Sequence, residues 1–178
     1  MAPPGAELLS SAVDYALAGA ALGTAEFLSR PTPCPGWDLE TLLGHLGDSV
    51  EALTLAIGGA AGGAGPAGDP VGRLRGSAGG LLMAARDCGQ RVVVGGRVLT
   101  ANMVVVTAAI EITVHGWDIR VACGARQPVP VGLATILLPI APLLVSPGTR
   151  RGLFADPVRL PGSAGPGDQL VAFLGRRP

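Results

Sequence analysis

The sequence contains no lysine, and all 13 of its basic residues are arginine. That one absence removes Schiff-base catalysis, the phosphate-binding P-loop lysine and the kinase lysine together. No Gly-x-Ser-x-Gly is present, so no serine-nucleophile elbow is expected. Acidic residues also number 13, and this balance leaves no basic field to recruit a nucleic acid. The three cysteines, Cys34, Cys88 and Cys123, are odd in number and lack Cys-x-x-Cys spacing, which argues against both a zinc ribbon and a disulfide framework. Free thiols suit a reducing compartment, so a cytoplasmic location is expected. MAPPGAELL has no basic stretch before an apolar core, so no secretory signal is expected.

Long uncharged runs are scarce too. The longest candidate for a membrane span, Val129 to Val145, is only 17 residues and holds Pro130, Pro139 and Pro142. It lies at the lower limit of spanning length and reads as a buried, irregular helix, with no membrane partner.

What the chain does have is apolar content, 48% of 178 residues, enough for a single domain over 1–178 with a real core. The 28 glycines and 16 prolines cluster between apolar segments, where they read as loops. From Ala6 to Arg30, Leu8, Leu9, Val13, Leu17, Ala20, Ala21 and Phe27 recur at helical spacing. The prolines of Arg30 to Gly36 then end that helix. Asp38 is a natural N-cap for a helix whose stripe is Leu39, Leu42, Leu43, Leu46, Val50 and Leu53. Gly58 to Pro70 reads as a flexible connection, and Val71 to Asp87 as a third helix. Arg91 to Leu99, two short apolar runs about Gly-Gly, predicts a small hairpin. Thr100 caps a long helix to Gly124, and a Gly/Pro-rich tail ends in a helical turn at Gln169 to Leu174. Four apolar segments of helix length predict one antiparallel all-α bundle.

The long helix carries Glu111 and His115 four residues apart, on one face and one turn apart. No other ionisable group occurs between Ala101 and Val114, and a buried carboxylate without a partner costs several kcal/mol. A metal ion would compensate it; so would an arginine from another helix, with His115 as ordinary core. The only other histidine, His45, falls about 60° from Leu42, on the flank of the apolar stripe. Two imidazoles and one carboxylate suit zinc or a non-haem metal with open positions.

TPCPGWDLETLLGHL (Thr32 to Leu46), EITVHGWDIRVACG (Glu111 to Gly124) and GLFADPVRLPGSAGPGDQLVAFLGR (Gly152 to Arg176) resemble the actinobacterial metal-binding proteins related to mycothiol-dependent maleylpyruvate isomerase, in the DinB-like superfamily. The resemblance implies a DinB-like four-helix bundle, here with a short extended excursion before the long helix and a small C-terminal extension. It implies metal ligation by His45, Glu111 and His115, and chemistry of thiol-transferase or isomerase type with mycothiol as thiol cofactor and a small-molecule substrate. The non-catalytic alternative is a metal- or ligand-binding bundle acting as an accessory protein. A third reading keeps the triad as a buried polar cluster without metal. Assembly stays open between monomer and homodimer.

Around that triad, Arg73, Arg75 and Arg86 are either substrate-orienting cations or solvent-facing side chains. Trp37 and Trp117 either wall the site or belong to the core. Asp118 is either an acceptor behind His115 or half of an exposed ion pair. Cys34, in the turn before the second helix, reads as a structural thiol rather than a reactive one.

Overall fold

The computed structural model describes residues 4–60, 69–151 and 153–178. They belong to two compact units, Met1–Ala125 and Arg126–Pro178.

The first unit is a bundle of α1 (Pro4–Ala20), α2 (Leu39–Ala56), α3 (Pro70–Asp87) and α4 (Ala101–Ala122). Each later helix starts where a side chain satisfies an otherwise orphaned backbone N–H. Asp38 Oδ1 accepts from the Thr41 N–H at 2.9 Å, and Asp69 Oδ1 from that of Gly72 at 2.8 Å. Thr100 Oγ1 accepts from Met103 at 3.3 Å. Between α3 and α4 the expected hairpin forms from β1 (Arg91–Val94) and β2 (Arg97–Thr100), antiparallel with Val93 opposite Val98. Gly95 and Gly96 both take positive φ, 56° and 76°, as a tight two-residue hairpin turn requires.

Two expectations need correction. The first helix ends at Ala20 instead of continuing to Arg30, because Thr24 is extended and a short 3-10 turn follows at Ala25–Phe27. The apolar residues beyond Ala20 kept a helical spacing without keeping a helix. Nor is the bundle antiparallel throughout. Gly5 faces Asn102 and Val105 while Gly19 faces Gly116 and Arg120, so α1 and α4 run parallel. Asp48 meets Arg73 and Glu51 meets Ser77, so α2 and α3 run parallel as well. Against α4, by contrast, the numbering of α2 and the turn before it runs in the opposite sense, Cys34 meeting Asp118 and His45 meeting Glu111. The order is up, down, down, up. Of the flexible connection expected over Gly58 to Pro70, residues 61–68 lie outside the described residues.

Buried on nearly every side, α4 has Val105, Ala109, Ile112, Thr113, His115, Asp118, Ile119 and Arg120 all out of solvent. It approaches α1 closely at Gly116, where a Cβ would lie 2.9 Å from Ala16 Cα and 3.1 Å from Tyr15 Cδ1.

The second unit holds α5 (Val131–Leu137), α6 (Ala141–Leu144), α7 (Pro147–Arg150) and α8 (Pro166–Phe173). The apolar run Val129 to Val145 is indeed broken near Pro139 and Pro142, but Ile136 and Leu143 stand exposed rather than buried. The terminal helix starts three residues before Gln169, with Pro166 in its first turn, where its missing N–H has no cost. Among the described residues no helix is long and apolar enough to cross a membrane.

Gly116→Ala should destabilise the protein by about 1–3 kcal/mol, since the neighbouring atoms are backbone and packed aromatic carbon that cannot yield cheaply. Gly79→Ala, on exposed α3 with open space around it, should gain roughly 0.5–1 kcal/mol. Urea midpoints of the two variants against wild type check the contrast; equal shifts would mean that α1 and α4 can separate to admit a methyl group.

Candidate metal centre

The site lies between α2 and the middle of α4, and the turn that precedes α2 forms its rim. In that turn the Trp37 N–H bonds the Cys34 carbonyl at 3.1 Å, with Pro35 next and Gly36 at φ 79°. Proline then glycine at the two central positions is the composition of a type II turn, because the second must take positive φ. Thr32 reinforces it, its hydroxyl lying 3.0 Å from the Trp37 carbonyl and accepting from the Cys34 N–H at 3.1 Å. The Cys-Pro-Gly-Trp sequence is therefore a rigid bracket that delivers one thiol and one indole to the site.

The three sequence-predicted ligands come together. His45 Nε2 lies 3.7 Å from Glu111 Oε1, and the two imidazole rings stand nearly perpendicular with centroids 5.2 Å apart. One donor atom from each of His45, Glu111 and His115 falls within 4.8 Å of the other two. Four-coordinate zinc, with bonds near 2.0–2.1 Å, separates adjacent donors by roughly 3.3 Å. The 3.7 Å between His45 Nε2 and Glu111 Oε1 is close to that separation, and the chemistry of the donor set suits such an ion.

Exposure is graded across the three: 38% of the His45 side chain, 28% of Glu111 and 10% of His115 is open to solvent. Glu111 is therefore not the fully buried carboxylate that its apolar flanks suggest, and a small molecule can approach from its side. Its one ionic neighbour among the described residues is His45. The arginine of the alternative reading is absent there, since Arg73 is taken by Asp48 and Glu51. Arg75 and Arg86 are exposed on α3. None of the three arginines is brought to the site as a free cation.

The tryptophans divide. Trp37 lies against His45, ring centroids 4.6 Å apart, and walls the site, whereas Trp117 is a core residue. Partial burial, then the neighbouring His115, depresses the pKa of His45, with Glu111 and Asp48 pulling the other way. At neutral pH its ring is uncharged, the form that ligates.

Behind His115 the open choice for Asp118 is resolved. Asp118 is fully buried, and its Oδ2 lies 3.1 Å from His115 Nδ1 and 3.4 Å from Cys34 Sγ. Cys34, His115 and Asp118 form a second cluster of potential ligand atoms within 4.8 Å of one another, which shares His115 with the first. Two further residues escaped the sequence reading. Arg120, 3% exposed, lies flat on the Tyr15 ring at 3.7 Å and donates to the Gly116 carbonyl at 3.1 Å. An arginine four residues beyond a glycine in an apolar helix is the signal that could have revealed it.

A family model, mycothiol maleylpyruvate isomerase N-terminal domain, matches residues 9–120, from α1 through Arg120 on α4, and so includes all three ligand candidates. No curated protein and no solved structure gives a match.

Tyr15 is the only tyrosine of the chain, and burial, with Asp118 adding to it and Arg120 opposing, pushes its pKa up to about 12. The sign follows directly: a phenol that ionises at about 10 when unfolded and only near 12 when folded leaves stability intact below pH 10 and erodes it between the two values. Tyrosinate absorbance should therefore rise only as the protein unfolds in that window. A Tyr15 that titrated near 10 with the fold intact would place its hydroxyl in water.

Proposed function

We propose a function from the premise that this chain belongs to the mycothiol maleylpyruvate isomerase N-terminal domain family: it is a metal-dependent, thiol-linked enzyme of transferase or isomerase type. In this reading His45, Glu111 and His115 hold a divalent metal, zinc by preference, and a small molecule enters over Glu111 and His45. The observation that carries it is the convergence of two imidazoles and one carboxylate within 4.8 Å, on a side that remains open.

Each side chain has a defined task. The depressed pKa of His45 keeps its nitrogen lone pair free at neutral pH. Glu111 supplies the one formal negative charge of the set, so a doubly charged ion would retain net positive charge toward an incoming anion. A metal so held lowers the pKa of bound water or thiol, giving hydroxide or thiolate at neutral pH. Trp37, packed against the His45 ring, offers a flat apolar wall to substrate. The three free cysteines fit a reducing, cytoplasmic setting in which a low-molecular-weight thiol such as mycothiol is available.

A second reading, a metal-binding bundle without catalysis, draws support from the arginines. With Arg73 neutralised by Asp48 and Glu51, no basic side chain on α3 is left to orient an anionic substrate at the site. Turnover of a low-molecular-weight thiol with an electrophile separates the two: metal-dependent thiol consumption supports the enzyme, and stoichiometric metal without consumption supports the binding protein.

Purified protein should carry one equivalent of metal, lost in Glu111→Ala. Zinc should raise the melting temperature at about pH 7.5 and much less near pH 5, because protons occupy the histidines as pH falls below the unperturbed value of about 6.5. The depressed His45 pKa puts its share of that loss at the lower end. A thermal-shift series with wild type and His45→Ala is the measurement; a zinc effect that ignores pH, or survives the substitution undiminished, would put the ion elsewhere.

A further inference from the structure

Buried carboxylates are rarely left without a task, and Asp118 is the most enclosed acid in the first unit. It has no exposed surface, sits on the same helix as two proposed ligands, and is met by Cys34 from the turn before α2. Held as a carboxylate, Asp118 could only accept across its 3.1 Å contact with His115, which would place the hydrogen on His115 Nδ1. Nε2, the other ring nitrogen, would then keep its lone pair free for the cluster that His115 shares with His45 and Glu111. Cys34 donates its thiol hydrogen to the same Oδ2 at 3.4 Å, from the Pro-Gly turn that also places Trp37.

We propose that Asp118 is the positioning residue of the metal centre, locking His115 in the Nδ1–H tautomer, and that Cys34 serves as the strut that holds Asp118 in place. The inference rests on the metal reading given above for the use of that lone pair, but the tautomer itself is a property of the metal-free protein. A carboxylate behind a ligating imidazole also raises its basicity, and loss of such a group characteristically costs roughly ten- to a hundredfold in metal affinity. A thiol, as a weak donor, contributes less.

The competing use of the same atoms is a second ion bound by Cys34, Asp118 and His115 Nδ1. It would strip the Nδ1 hydrogen and set two cations on opposite sides of one ring. Their mutual repulsion inside a largely enclosed site disfavours that arrangement. It also would leave His115 to serve both clusters at once.

The test uses the full-length chain as wild type, Asp118→Asn and Cys34→Ala. In the metal-free protein above neutral pH, long-range ¹⁵N correlation spectra should show His115 protonated at Nδ1, the minor form of a free neutral histidine. Asp118→Asn, whose amide can donate to the ring, should move the population toward Nε2–H and lower zinc affinity by roughly ten- to a hundredfold. Cys34→Ala should keep the tautomer and lose less than about tenfold. An acid with a merely structural role would lower the melting temperature and leave tautomer and affinity unchanged, which overturns the proposal. So does a wild-type Nε2–H tautomer. Cobalt(II) substitution adds an independent arm: a thiolate-to-cobalt absorption that vanishes in Cys34→Ala would put the ion on Cys34 and overturn it too. Should wild type bind no zinc at all while the Nδ1–H form still depends on Asp118, the positioning stands and the metal reading alone fails. If Asp118→Asn does not fold, the wild-type tautomer and the Cys34→Ala affinity still decide.

Discussion

The enclosure of α4 is the constraint from which the rest follows. A helix surrounded on nearly all sides has little solvent to satisfy its polar side chains, so most meet a partner inside the fold, Arg120 Nε being a buried atom that makes no hydrogen bond. Thr113 turns its hydroxyl back to the Ala109 carbonyl, Arg120 stacks on Tyr15 and bonds Gly116, and Asp118 takes hydrogen from His115 and Cys34. Glu111, where the enclosure opens, keeps part of its side chain in solvent and lies 3.7 Å from His45 on α2. The site is the place at which a buried polar column reaches water.

Much of the architecture was legible because it depends on local chemistry. Asp38 and Thr100 announce helix starts through side-chain oxygens that need only a backbone N–H three residues on. Gly95-Gly96 announces a hairpin because few other residues accept that turn. The run from Ala21 to Arg30 misled because apolar spacing reports which face is buried, not whether the backbone stays helical between Gly23 and Phe27. Helix direction was hidden for a different reason. Four amphipathic segments specify a bundle, but whether α2 and α3 run together or opposed depends on the span of the connection, which composition does not measure.

The ligand set shows the same division. Glu111 and His115 could be paired from spacing alone, since four residues is one turn of α-helix. His45 needed the resemblance, for its place on the flank of a stripe fits a rim residue as well as a ligand. That Arg73 would be spent on Asp48 and Glu51 was not readable, because both carboxylates lie on another helix whose register against α3 is set by packing. For Asp118 the three-residue spacing from His115 offered the acceptor role as one of two readings, whereas the burial of Tyr15 against Arg120 depends on which segment faces α4 at that level of the bundle.

The up-down-down-up order also bears on how the protein assembles. Its α1–α4 pair joins residues roughly a hundred positions apart, as at Gly5 and Asn102, so that contact closes a long loop and raises the non-local share of the topology. Glu111 and His115, by contrast, become neighbours as soon as one turn of α4 forms. A chain still in search of its native packing thus already possesses two-thirds of the triad, while His45 is contributed only when α2 docks. On the metal reading proposed above, ion capture and helix docking would be successive closures of one site, and the ion would act as a folding partner as much as a reagent.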